Sequence, residues 1–219
     1  MSEIVDQVND IHREVGTRPV AAGEAHTVLL RRTYEAAAQD VWDACTDPAR
    51  IARWFLPVSG DLVLGGHYRL EGNASGEILR CEPPELLRVS WLFGADPGFS
   101  EVELRITPDG PERTVFELEH IAVAPPEMWD RFGPGAVGVG WDLTVLGLGL
   151  HLRGGTIEDP AAWQLSDEAR AFITRSSERW GAAYEASGAP PEVAATAVAA
   201  TTAFYAPDPA TNPASPADD

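Results

Sequence analysis

Residues 138–152, GVGWDLTVLGLGLHL, limit how this chain can fold more than any other stretch. Wound as a helix at about 100° per residue, Val139, Leu143, Leu146 and Leu150 share one side, while Trp141, Val145, Leu148 and Leu152 share the opposite one. Gly140, Thr144, Gly147 and His151 form a third stripe, which leaves Asp142, Gly149 and Arg153 as a narrow remainder. A helix apolar nearly all round must be covered from more than one direction. The stretch 137–152 is broken by Trp141, Asp142 and His151 and falls short of the ~18–20 apolar residues a membrane span requires. It therefore reads as a core helix from about 139 to 152, with one face on a sheet and another under a second layer.

The sheet is visible upstream. In EVELRIT, residues 101–107, Val102, Leu104 and Ile106 alternate with Glu101, Glu103, Arg105 and Thr107. PDGPE, 108–112, is a hairpin turn into RTVFELEHIAV, where Thr114, Phe116, Leu118 and His120 share a phase. Strands are also expected in HTVLLRRTYEA (26–36), LGGHYRLEG, SGEILRCE and PPELLRVSWLFG, giving an antiparallel meander with one wet face. Short helices are predicted over 38–45 and, with Asp47 as N-cap and Pro48 at the first helical position, over TDPARIARWF.

Cover for the long helix is sought in the termini. Ile4, Val8, Ile11 and Val15 recur at helical spacing, which predicts an N-terminal amphipathic helix with Ser2 as cap, ended by Gly16, as an extension over 1–20. LSDEARAFITRSSERWGAAYEASG, started by Ser166 and Asp167 and followed by PPEVAATAVAATTAFYA, predicts a helical extension over 156–205. The proline-rich residues 206–219 are expected to be disordered. A second copy of the chain is the other candidate cover, so a homodimer through the terminal helices is expected as an alternative.

Composition narrows the partners. Among 219 residues, 34 acids face 16 basic residues, for a net charge of −18, and every basic residue is arginine. A field of that sign repels nucleic-acid backbones and anionic membranes, so neither is expected as a partner. Cys45 and Cys81 lack metal or disulfide spacing, and the acidic N-terminus has no apolar signal core, which together point to the cytoplasm.

The pattern GPGAVG, 133–138, matches the dinucleotide fingerprint G-x-G-x-x-G. Such a site must follow a parallel strand inside a βαβ unit, whereas here it follows a two-proline segment in an antiparallel context. It is read as a turn in which Gly133, Pro134 and Gly135 reverse the chain and Gly138 opens the long helix. No cofactor is expected. No H-x-H, H-E-x-x-H or G-x-S-x-G spacing occurs, so metal and serine-nucleophile chemistry lack support.

The order strand, two short helices, meander, long helix, together with VWDACTDPARIARWF, the Gly65–Gly66 pair before a strand, GEILRCEPPELLRVSW and GVGWDL, resembles the START-like (SRPBCC) superfamily. The motifs are similar to its branch of activators of heat-shock-protein ATPase, over about residues 26–152. The resemblance implies an α+β helix-grip fold over 21–155, a curved antiparallel sheet wrapped around the long C-terminal helix, with terminal helices added. It also implies an apolar cavity between sheet and helix, which relatives use for small apolar molecules, for cyclisation or hydrolysis, or not at all while binding a chaperone ATPase.

Candidate binding residues for a small hydrophobic or aromatic molecule are Trp54, Phe55, Tyr68, Trp91, Phe116 and Trp141, with Glu77, His120, Thr144 and His151 as polar groups. Gly140 and Gly147 either open space for a ligand or let the helix sit close to its neighbours. Asp142 and His151 lie on opposite sides of the helix and do not act together; Asp142 is expected to pair with an arginine such as Arg153 or to cap the backbone. An enzyme using this cavity needs at least two of Glu77, His120 and His151 at one point of it. An interaction protein calls instead for a closed core and an exposed apolar patch.

Overall fold

The computed structural model describes residues 3–94 and 98–207. Ser2 and positions 208–219 of the expected tail lie outside them. Helix α1 (Glu3–Asp6) runs into a 3-10 turn over Gln7–Asp10, followed by β1 (His12–Val20), β2 (Gly23–Tyr34), α2 (Ala38–Thr46), α3 (Pro48–Trp54) and β3 (Val58–Gly60). Strands β4 (His67–Leu70), β5 (Ser75–Glu82), β6 (Leu86–Ser90), β7 (Ser100–Pro108) and β8 (Thr114–Ala122) continue the chain. Helices α4 (Pro126–Phe132), α5 (Gly135–Leu152), α6 (Pro160–Gln164), α7 (Asp167–Ala186) and α8 (Pro191–Tyr205) complete it.

All strands join one antiparallel sheet in the order β1-β2-β8-β7-β6-β5-β4-β3. The sheet curves around α5, which is the α+β helix-grip arrangement that the resemblance implies. The phase of β8 is as its alternation requires, with Thr114, Phe116, Leu118 and His120 all buried. At α3, Asp47 Oδ1 accepts from the Arg50 N–H at 2.9 Å, and at α7 Ser166 accepts from the Ala169 N–H at 3.1 Å, so both predicted caps operate.

The N-terminal segment departs from its periodicity. Residues 12–20 form an edge strand paired with β2 from His12↔Arg31 to Val20↔Gly23, in place of the expected amphipathic helix. Val15, Thr17 and Val20 are β-branched, Gly16 weakens a helix, and Pro19 is tolerated in a sheet only at an edge. Nine residues of ladder with β2 outweigh one apolar stripe. Val8 and Ile11 are buried as the stripe suggested, but in the turn before β1. The sheet thus begins at residue 12, ahead of the expected boundary at 21.

Two further corrections concern the entry to α5. The two-proline segment contains α4, with Pro126 at its start and Gly133 closing it at φ 53°. Gly133 alone makes the turn, and α5 opens at Gly135, three residues before Gly138.

The second layer over α5 comes from the same chain. Leu146 packs with Val8 and Phe172 of α7, and Gly135 and Gly138 face Thr201 of α8 and Trp180 of α7. By length and composition α5 is apolar enough to cross a membrane, yet Val139, Trp141, Asp142, Val145, Leu146 and Leu148 are buried in the domain. It is the central helix of a packed fold.

Asp142 marks where the layers are tied together. Its Oδ2 accepts from Arg13 Nη2 at 2.7 Å and Nε at 3.1 Å, from the Ser176 hydroxyl, and from Trp180 Nε1 at 3.2 Å. The expected pairing with Arg153 is replaced by one with an arginine on β1. The buried Arg13 guanidinium, unlike the exposed Arg153, also reaches the carbonyls of Ile11 and Val8.

A candidate ligand cavity between sheet and helix

Between the inner face of the sheet and α5 lies a cavity of about 180 Å³. Helix α5 contributes Trp141, Thr144, Val145 and Leu148, the side opposite the one packed on α7. Strands β4 to β8 supply Tyr68, Val89, Val102 and Phe116 among others, and α3 with its C-cap closes one side through Ile51, Trp54 and Phe55. Rings meet in two groups on the wall: Tyr68, Trp91 and Trp141, with Trp91 and Trp141 centroids 4.9 Å apart, and Trp54 and Phe55, 5.7 Å apart. Among the described residues no formally charged side chain lines this space.

Most polar groups on the wall are already satisfied. The hydroxyls of Tyr68, Thr144 and Thr46 donate to the carbonyls of Ser90, Gly140 and Trp42, each at 2.8 Å. Trp54 Nε1 donates to the Ala44 carbonyl at 3.0 Å, and Trp141 Nε1 to His120 Nδ1 at 3.0 Å. The Trp91 indole N–H has no acceptor among the described residues. Burial pushes the Tyr68 hydroxyl up and the Cys45 thiol up to about 12, so both stay protonated and neutral at physiological pH.

Of the residues singled out by sequence, Trp54, Phe55, Tyr68, Trp91, Phe116, Trp141 and Thr144 come together around this one space. Glu77, His120 and His151 do not reach it. Glu77 lies next to Ile78 on β5, and Ile78, not Glu77, turns inward. His120 is buried behind Trp141, with Nδ1 accepting from that indole and Nε2 2.8 Å from the Ser100 hydroxyl. His151 sits at the far end of α5 beside Arg50. The three groups of which an acid–base enzyme would need at least two at one point of the cavity all lie away from it.

Gly140 and Gly147 are filled by protein. A Cβ at Gly140 would stand 3.1 Å from the Tyr205 hydroxyl, and one at Gly147 2.8 Å from the Trp54 carbonyl. Both glycines allow close approach of neighbouring elements. Sequence reasoning missed Cys45 and Cys81 as wall residues. Cys81 faces inward because the β5–β6 register shifts between Ile78 and Arg80, so that Ile78 and Cys81, three apart, share a face. Simple alternation puts residues an odd number apart on opposite faces.

The His120 site predicts a pH effect. Desolvation holds its imidazole at about 4, against about 6.5 in the unfolded chain. Its contribution is fully present above about pH 6.5 and is lost as pH falls toward 4, because the unfolded chain then binds the extra proton. Urea unfolding of the wild type should lose about 3 kcal/mol more than that of His120→Asn between these pH values. Parallel pH profiles for the two proteins would contradict this.

A sheet gripping one long helix over an apolar cavity is the architecture of the START-like, or SRPBCC, proteins. Within that class, this chain belongs to the family described as activator of Hsp90 ATPase homolog 1-like, whose model matches residues 35–149, more than half of its length. Among solved structures it is similar to the crystal structure of CalU16 from Micromonospora echinospora, with 40% identity and a TM-score of 0.64 over 80% of this chain and 98% of CalU16. The solution structure of CalU16 agrees, at 39% identity and a TM-score of 0.67 over 81% and 97% of the two chains. DynU16, from the dynemicin biosynthetic locus, is 25% identical with a TM-score of 0.53 over 59% of this chain and 48% of that one. No curated protein matches the sequence significantly.

Proposed function

We propose that this protein binds a small, uncharged apolar or aromatic molecule in the cavity between sheet and α5. The observation that carries the reading is the wall itself: six aromatic side chains around a space with no charged lining group among the described residues. An apolar cavity of about 150 Å³ in another protein stays dry and takes up benzene, so about 180 Å³ suits a one- or two-ring guest. The kinship with DynU16 supports a ligand from small-molecule biosynthesis. Among the described residues no carboxylate or imidazole lines the wall, and burial holds the Cys45 thiol and the Tyr68 hydroxyl neutral.

Entry is through the least buried part of the wall. Helix α3 contains no fully buried residue, and the loop after β3 turns Leu62 inward while Val63 and Leu64 are 57% and 65% exposed. Few buried contacts mean a low free energy of local opening.

Titration of the protein with indole and naphthalene, followed by amide chemical shifts and by quenching of the wall tryptophans, tests the reading. Saturable shifts should centre on Ile51, Trp91 and Thr144, and Val58→Trp, which fills the cavity from β3, should weaken binding at least about tenfold. Absence of saturable binding by the folded wild type for both compounds would overturn it.

A further inference from the structure

A second concavity lies outside the cavity wall, between the outer side of α3 and the turn that follows α5. This open cleft of about 610 Å³ is lined by Arg50, Arg53, His151, Gly154, Gly155 and Thr156. In a chain with more than twice as many acids as bases, cationic side chains are expected to be neutralised, and nine of the sixteen arginines form ion pairs among the described residues. Arg53, like Arg69, Arg131 and Arg153, makes no ion pair or side-chain hydrogen bond among the described residues, and of these four Arg53 alone lines the cleft. Arg50 is half engaged, with Nη1 2.7 Å from Asp40 and Nη2 turned to His151 Nε2 at 3.5 Å. We propose that this cleft binds a small oxyanion, a sulfate, phosphate or carboxylate group, between Arg50, Arg53 and His151.

The chemistry fits the class. Guanidinium groups present planar donor forks that match oxyanions, and two of them on successive turns of α3 line one cleft with His151, Arg50 within 3.5 Å of its ring. Capping the end of α5 does not account for these charges. The Leu150 carbonyl accepts from the N–H groups of Arg153 and Gly155, and the His151 carbonyl from that of Gly154, at 2.9–3.1 Å. His151 adds a pH dependence. Desolvation first, then Arg50 and Arg53 from α3, hold its imidazole below its ordinary range, while Asp40 from α2 acts in the opposite sense. An oxyanion offsets the two arginines, so its binding favours the imidazolium and strengthens as pH falls.

The proposal is independent of the cavity, although α3 walls both sites. Sulfate, a dianion throughout the range used, is titrated into the full chain at constant ionic strength, with amide shifts as readout. Saturable shifts confined to residues 50–54 and 151–156 are expected. Arg53→Gln should weaken binding at least about tenfold, whereas Arg69→Gln, another exposed arginine without an ion pair, should change it less than about twofold. Binding should weaken severalfold from about pH 5.5 to 8 in the wild type and stay nearly level in His151→Gln. Benzenesulfonate run in parallel identifies the source of the anion: equal or weaker affinity than sulfate supports a free oxyanion, and tighter binding with shifts reaching Trp91 supports an acidic group carried by an aromatic ligand. No saturable shifts in the cleft, or equal losses in Arg53→Gln and Arg69→Gln, would overturn the proposal. Failure of naphthalene to bind, by contrast, bears on the cavity alone.

Discussion

Replacing Arg13 with alanine should lower the unfolding free energy by about 3–5 kcal/mol, because it leaves the Asp142 carboxylate buried without its countercharge. Both side chains are withdrawn from water, Arg13 with 4% of its surface exposed and Asp142 with none. Ser176 and Trp180 still donate to Asp142, but two neutral donors do not compensate an ion in this setting. The same change releases the Val8 and Ile11 carbonyls and the contact of the guanidinium with the Trp180 ring, 5.7 Å away. Urea unfolding of the wild type, Arg13→Ala, Asp142→Asn and the double variant forms a cycle. The two losses should be non-additive by more than about 1 kcal/mol, as expected for partners in one network. A loss below about 1 kcal/mol for Arg13→Ala would show that the junction of β1, α5 and α7 is held by apolar packing alone.

Gly138→Ala should be the second large effect, and its sign runs against propensity. Alanine in a helix is worth about 1 kcal/mol over glycine, so the change would stabilise an exposed helix. Here the new Cβ would lie 2.4 Å from the Trp180 ring, which is wholly buried and tied to Asp142 through its indole N–H. The ring has nowhere to move without breaking that bond. A net loss of about 2–3 kcal/mol follows from overpacking, or a fall in Tm of roughly 5–10 °C. Gly140→Ala, two residues on, meets only the Tyr205 hydroxyl, at 3.1 Å, a contact that a shift of a few tenths of an ångström relieves, and should stay within about 1 kcal/mol of the wild type. Equal melting temperatures for the two variants would contradict this reading of the α5–α7 contact.

The cavity and the cleft differ in how far they were legible. Trp54, Phe55, Tyr68, Trp91, Phe116 and Trp141 are conspicuous as large aromatics on elements whose period and order the sequence displays, and they do surround one space. The polar candidates were harder to place. Whether a histidine on an inward phase meets a cavity or a neighbour depends on what lies behind it, and behind Trp141 lies His120. Arg50 and Arg53 carry no sequence signal, since their meeting with His151 requires α3 to cross the end of α5.

The layering follows from residue periodicity alone. A helix apolar on opposite sides needs two covers, and strict alternation in β7 and β8 presents one apolar face to it; both are consequences of period alone and hold whatever the partners. Tertiary structure decided the choices in which local signals compete. Residues 12–20 are a strand because β2 offers them a full ladder, although four apolar positions nearby had helical spacing. Asp142 pairs with an arginine 129 residues away instead of a neighbour on its own helix. Cys81 reaches the cavity through a register shift in β5. Each of these rests on contacts between segments distant in sequence, whose energies exceed local preferences once the chain has closed.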